Sequence, residues 1–222
     1  MDPREQPAYT LAEAAHYLVL PASTVRSWSV GAPGYGPLIE AASHSPALLS
    51  FLNLAELHVL AAIRRTHLVA MGKVRGAIQY LVGHARSGRD RTHPLISREM
   101  ETDGLDLFIR ECGHLVNISE AGQLAMREVL DQALRRIDRD PTGVPIRLYP
   151  FTRAATANAP ALVVVDPSLS AGRPVIAGTG LATGLIAERY KAGESVHELA
   201  RDYERSEGEI EEAIRCELPA AA

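Results

Sequence analysis

The stretch from Thr10 to Ser29, TLAEAAHYLVLPASTVRSWS, constrains the fold most. Thr10 and Glu13 have the S/T-x-x-E spacing of a capping box, which marks a helix start. Ala14, Ala15 and Leu18 then fall on one helical face. Leu20 precedes Pro21 and is pushed out of the α region, so the first helix must stop there. Pro21 is tolerated in the first turn of the next helix. That second helix turns Val25 and Trp28 inward and offers Ser23, Thr24, Arg26, Ser27 and Ser29 outward. Val19 stands where such a turn usually has a glycine.

Two short helices joined by a tight turn place the second in a DNA major groove, where hydroxyls and an arginine can meet phosphates and base edges. The net charge of −4 hides an asymmetry that favours this reading. Residues 1–94 carry 9 Lys+Arg against 6 Asp+Glu, so +3, whereas residues 95–222 carry 14 against 21, so −7. A polyanion would be drawn to the first part. The acidic remainder suits a basic protein partner, or simply solubility.

After the two helices, GAPGYGP at 31–37 is too rich in Gly and Pro for regular structure, and it exposes Tyr35 as a candidate DNA contact. Leu38–Glu40 and Leu48–Phe51 flank a polar turn at Ser43–Pro46 and are expected to form a hairpin, a wing beside the second helix. Asn53, with Glu56 three residues on, predicts a capped helix to about Arg65, and Val74 to Val82 predicts another. Arg64, Arg65, His67, Lys73 and Arg75 cluster around the turn between them, where they could grip phosphates.

The polar, basic run 83–94 reads as a linker and a domain boundary. Asp103-Gly104, between two apolar-containing runs at 95–102 and 105–110, predicts a hairpin, with His114–Ile118 as a third strand. Ser119 is the expected N-cap of a helix to about Arg139. Its stripe of Met126, Leu130, Ala133, Leu134 and Ile137 suits either a core or a dimer seam. A strand over 144–151 and a second linker over 152–161 follow. Beyond the apolar run Ala161–Val165, three short helices are predicted. The first ends at Gly193, and the other two begin at the capping boxes Ser195/Glu198 and Ser206/Glu209.

Enzyme chemistry finds little footing. Gly178, Gly180 and Gly184 have the spacing G-x-G-x-x-x-G, not that of a dinucleotide loop, and no Walker lysine is present. Cys112 and His114 are too close and too alone for a zinc site. No nucleophile–base pairing emerges, so no catalytic residue, metal or cofactor is expected. No apolar run is long enough to span a membrane, the first nine residues lack a signal-peptide core, and two distant cysteines make no disulfide framework. A cytoplasmic protein without membrane association is the expectation.

The capped helix, Pro-Ala-Ser-Thr-Val-Arg-Ser-Trp, the hairpin and two further helices together resemble a MerR-like winged helix-turn-helix over residues 8–84, with Thr24–Trp28 (TVRSW) as the signature. Val164 to Arg215 resembles the C-terminal domain of many bacterial VapB-type antitoxins. This second likeness is carried by Asp166-Pro167, by Gly172-Arg173-Pro174-Val175-Ile176-Ala177-Gly178-Thr179 and by Ala192-Gly193-Glu194-Ser195-Val196. That family usually has an arginine after the Gly-Thr, where this chain has Gly180.

The two resemblances imply an antitoxin of a type II toxin–antitoxin pair. It would be a homodimer on operator DNA that also joins a PIN-domain ribonuclease toxin in a hetero-oligomer. The alternative is a stand-alone MerR-like regulator with a C-terminal sensing or interaction domain. A PIN nuclease, by that resemblance, clusters carboxylates around Mg²⁺, and an arginine inserted there would block it. Arg147, Arg153 and Arg173 are the candidates for this role. The fold expected is α+β, mainly α. It comprises a winged helix-turn-helix in 1–90, a β-hairpin with a long helix in 95–152 as a possible dimerisation region, and a homeodomain-like three-helix domain in 160–222.

Overall fold

A computed structural model describes residues 2–66, 70–85, 87–101, 103–116, 119–153 and 159–218. The chain is mainly helical with small antiparallel sheets. Strand β1 (Tyr9–Thr10) leads into α1 (Leu11–Tyr17), which is followed by α2 (Ala22–Ser29). The capping box forms as expected: Glu13 N–H donates to Thr10 Oγ1, while Thr10 N–H donates to Glu13 Oε2 at 2.8 Å. Val19, in the turn, takes the left-handed conformation at φ +52°. The geometry a glycine would favour is therefore present without the glycine.

The wing is smaller than expected, and its strands are β2 (Ser43–His44) and β3 (Ala47–Leu49). Leu38–Glu40 is not a strand; Leu38 and Ile39 instead donate backbone N–H groups to the Trp28 carbonyl. The third strand comes from before α1. In the order β1-β3-β2, Tyr9 pairs with Leu49 and Ser43 with Leu48, so the sheet backs the helix-turn-helix.

Helix α3 (Phe51–Thr66) is buried on every face from Phe51 to Ile63. A helix buried all round belongs in the centre of a domain. Asn53 is not its N-cap: it lies inside, where its side-chain Oδ1 accepts from Ser50 N–H and Ala42 N–H and its amide donates to the Glu40 carbonyl at 2.9 Å. Ser50 takes the capping role, its Oγ accepting from Asn53 N–H. Helix α4 (Met71–His84) follows.

The expected linker at 83–94 contains α5 (Gly88–Thr92), capped by Ser87, and it ends at His93, whose ring packs against α3. Pro94, Leu95 and Ile96 are buried beyond it. One hydrophobic cluster runs from Tyr9 through α3, α4 and Leu95 to Leu148. No boundary at 90–95 therefore interrupts the packing. The run reads as a linker because the solvent face of α5 is polar.

The Asp103-Gly104 hairpin is absent. Asp103 opens α6 (Asp103–Val116), which replaces the expected third strand as far as Val116, and Ile118 lies outside the described residues. Leu105, Phe108, Ile109 and Cys112 are buried at i, i+3, i+4 and i+7, a helical period that overrides the turn signal. Gly104 is explained by a close approach, since a Cβ there would sit 2.7 Å from the Glu99 carbonyl oxygen.

Helix α7 (Glu120–Leu134) starts at the expected cap Ser119 but stops short of Arg139. Ile137 belongs to β4 (Ile137–Arg139), paired antiparallel with β5 (Pro145–Leu148). The α7 stripe of Met126, Leu130, Ala133 and Leu134 is buried, with α7 packed on α3, so it does not offer the dimer seam that its pattern allowed. The second expected linker falls largely, at 154–158, outside the described residues.

The C-terminal unit follows the expectation closely. Strands β6 (Val163–Val164) and β7 (Val175–Ile176) pair antiparallel and precede α8 (Thr183–Lys191), α9 (Val196–Tyr203) and α10 (Glu207–Glu217). Both capping boxes form, and Gly193 takes φ +104° after α8. Ile176, Ile186, Leu199, Ile210 and Ala213 make its own small core.

Val19 is the point of avoidable strain. A β-branched residue at positive φ costs about 1–2 kcal/mol, and the side chain, 52% exposed, has little packing to lose. Val19→Gly should stabilise the chain by roughly 0.5–1 kcal/mol, the backbone relief being partly offset by glycine's unfolded-state entropy. Urea unfolding measures this directly, and an unchanged or lower midpoint contradicts it.

Candidate nucleic-acid interface

The exposed face of α2 is narrower than its sequence implied. Ser23 and Arg26 are exposed and Ser27 is half-buried. Thr24 and Ser29 are buried. The reason is helical phase: Ser29 lies four residues after Val25 and Thr24 four before Trp28, so both hydroxyls share the inward face. Among the described residues no carboxylate pairs with Arg26, which leaves its guanidinium available.

The basic residues around the α3–α4 turn divide. Arg64 and Lys73 are exposed, and the Arg64 guanidinium lies 6.0 Å from the Trp28 ring centroid. Arg65 is committed inward: it donates from Nη2 to the Leu18 carbonyl at 3.0 Å and lies 5.5 Å from the Phe151 ring centroid. Burial lowers its basicity from the ordinary value. Arg65 thus closes the turn of the helix-turn-helix and is removed from the phosphate-gripping set. Arg75 donates from Nη1 to the Pro37 carbonyl at 2.6 Å. Tyr35 is 71% exposed. His67 lies outside the described residues.

The three arginines singled out for insertion into a nuclease are each held by a carboxylate of this chain. Arg147 Nε lies 2.9 Å from Asp166 Oδ2. Arg153 Nη2 lies 2.5 Å from Glu212 Oε2. Arg173 pairs with Glu13. Sequence distance concealed these partners, the nearest being 19 residues away.

The Arg173 pair joins the two ends of the chain. Glu13 Oε2 accepts the capping bonds of Thr10, while its Oε1 accepts from Arg173. Burial would raise the Glu13 carboxyl, but the Thr10 N–H and Arg173 outweigh it and hold it below its ordinary value. Beside it, the buried Tyr9 hydroxyl donates to the Gly172 carbonyl at 2.9 Å. Burial pushes that hydroxyl well above its ordinary pKa. Gly172 takes φ +77°, and a Cβ there would collide with the Tyr9 hydroxyl at 2.5 Å. Sequence reasoning missed Tyr9, because a lone tyrosine before a helix carries no signal of a partner 163 residues on.

Glu212 on α10 forms a second tie. Fully buried, it accepts from Thr152, from Arg153 and, at 2.5 Å, from Arg215 Nη1.

This geometry is that of a helix-turn-helix: a capped two-helix unit on a three-stranded sheet, with Arg26 exposed on its second helix. Residues 7–78 match a family described as "Putative DNA-binding HTH domain", and residues 163–215 match one described as "Protein of unknown function (DUF433)". The chain is 30% identical to a Mycobacterium tuberculosis protein named "Putative antitoxin VapB45", over 94% of this chain and 92% of that protein. The crystal structure of Rv2018 from Mycobacterium tuberculosis superposes with a TM-score of 0.70 at 26% identity, covering 94% of this chain and 97% of that one. The chain belongs to the same family as the protein named "Putative antitoxin VapB45".

Burial opposes ionisation of Glu212, but Arg153, Thr152 and Arg215 hold its carboxyl below the ordinary value of 4.5. A depressed folded-state pKa contributes stability that is present above the unfolded value and is lost as pH falls through the folded one. Urea midpoints of the wild type and Glu212→Gln should therefore differ at neutral pH and converge as pH falls below the ordinary carboxylate range. A gap independent of pH would show that the carboxylate charge contributes nothing.

Proposed function

We propose that this protein is the antitoxin of a type II toxin–antitoxin pair, which binds operator DNA through its N-terminal unit to repress its own operon and neutralises a PIN-domain ribonuclease through its C-terminal unit. The observation that carries the reading is the near-full-length relationship to a protein named as an antitoxin. The exposed Arg26, which no carboxylate pairs among the described residues, supports the DNA half. Ser23, Arg26 and Ser27 face the major groove, and Arg64 and Lys73 neutralise phosphates on its flank. A homodimer would present two such helices to two half-sites about one helical turn apart.

For the toxin half, the outer surface of the C-terminal helices carries the argument. Residues 188–217 hold 10 acidic against 5 basic side chains. Asp202, Glu204, Glu207 and Glu211 are exposed, so they can meet a basic rim on the nuclease. Arg147, Arg153 and Arg173 remain about half-exposed, and any of them entering a carboxylate cluster must first exchange its own carboxylate for the toxin's.

Arg26→Ala should weaken a mobility shift on the chain's own upstream DNA about tenfold or more, the size of a bidentate base contact. An unchanged shift would mean that α2 is not the recognition helix. Co-expression with an adjacent PIN-like frame should restore growth and yield a co-purifying complex. Failure of both would sink the antitoxin reading.

A further inference from the structure

The loop between the recognition helix and the wing is not irregular. Ala32 and Tyr35 exchange two backbone hydrogen bonds of 2.9 Å each. Pro33 and Gly34 stand between them, with Gly34 at φ +85°. Proline followed by a glycine at positive φ is the arrangement of a type II turn. Gly31, at φ +99°, is required by a close approach: a Cβ there would lie 2.8 Å from the Tyr35 carbonyl oxygen.

This turn is tied down at both ends. Gly31 N–H donates to the Arg26 carbonyl, and Leu38 and Ile39 donate to the Trp28 carbonyl at 2.7 and 3.1 Å. All three bonds reach α2. The fourth tie comes from α4, where Arg75 Nη1 donates to the Pro37 carbonyl at 2.6 Å. The element so stiffened presents Tyr35, the most exposed of the large hydrophobic residues outside the packing. The turn also begins where α2 ends, beside the exposed Arg26.

We propose that residues 31–37 are a rigid second DNA-contact element, in which the Tyr35 hydroxyl donates to a phosphate of the sugar–phosphate backbone and Arg75 is the residue that positions the turn. The assignment rests on the DNA-binding reading above and moves Arg75 from phosphate contact to internal support. The two roles leave different signatures. An arginine on a phosphate releases a counterion, so its removal lowers the slope of log K against log salt by roughly 1. Removing an arginine bound to a carbonyl of its own chain lowers affinity without changing the slope. A tyrosine hydroxyl on a phosphate carries no sequence information, so its loss weakens any duplex alike.

The test uses the full chain, a duplex from its own upstream region and a scrambled duplex of equal length, with affinity measured by fluorescence anisotropy across a salt series. Tyr35→Phe, an exposed change that leaves the core untouched, should weaken both duplexes by the same factor, roughly three- to tenfold. Arg75→Ala should weaken binding with an unchanged slope, whereas Lys73→Ala should lower the slope by roughly 1. In a Tyr35→Ala background, Arg75→Ala should add little, because the two act through one turn.

The inference fails if Tyr35→Phe or Tyr35→Ala binds like the wild type, if the effect is confined to the upstream duplex, or if Arg75→Ala lowers the slope. Arg26→Ala separates this failure from that of the broader reading. If it weakens binding while Tyr35→Ala does not, only the loop assignment falls. If the wild type binds neither duplex, both fall.

Discussion

Everything in this protein hangs on a helix with no solvent face. From Phe51 to Ile63, α3 is enclosed by the wing sheet, the Pro94–Ile96 turn, α7 and the segment around Phe151. Such enclosure leaves its polar side chains no water, so each must find a partner in a surrounding layer. Asn53 binds the backbone that leads into the wing. Glu56 meets His93 at 2.9 Å beyond α5. His58 donates from Nε2 to the Ala133 carbonyl on α7 at 3.2 Å and stacks on Phe151. Burial, with Arg65 and Arg136 nearby, lowers the His58 pKa to about 3, so the ring stays neutral and serves as a fixed donor. Three polar groups on three sides thus orient the helix-turn-helix and the middle of the chain relative to one another.

The parts of the fold legible in the sequence are those set within a few residues. The capping boxes at Thr10, Ser195 and Ser206, the break at Pro21 and the stop at Gly193 are all local chemistry, and all form as read. Misreadings arose where a local signal competed with packing. Asp103-Gly104 has the chemistry of a turn, yet four apolar residues at helical spacing bury more surface as a helix than a hairpin would. Ile137 continues the stripe of α7 in phase, so the pattern could not reveal that the chain had already turned into a strand.

The candidate site divides in the same way. Arg26 and Ser23 were legible because helical phase alone exposes them. Thr24 and Ser29 were misplaced because small hydroxyl residues tolerate either face. Arg65, Arg75, Arg147, Arg153 and Arg173 all looked free because an arginine's partner is a long-range fact. Their shared fate has a physical reason: a guanidinium has five donors and no acceptor, so carbonyls and carboxylates left over within a fold recruit it readily.

The double engagement of Glu13 reaches beyond static architecture. One carboxylate closes the first turn of α1 with one oxygen and holds the C-terminal unit with the other. Fraying of that turn and detachment of Arg173 are therefore not separate events. Each half-exposed bond adds only about 0–1 kcal/mol, but the two are coupled through one side chain. Two turns 160 residues apart in sequence thus share one carboxylate.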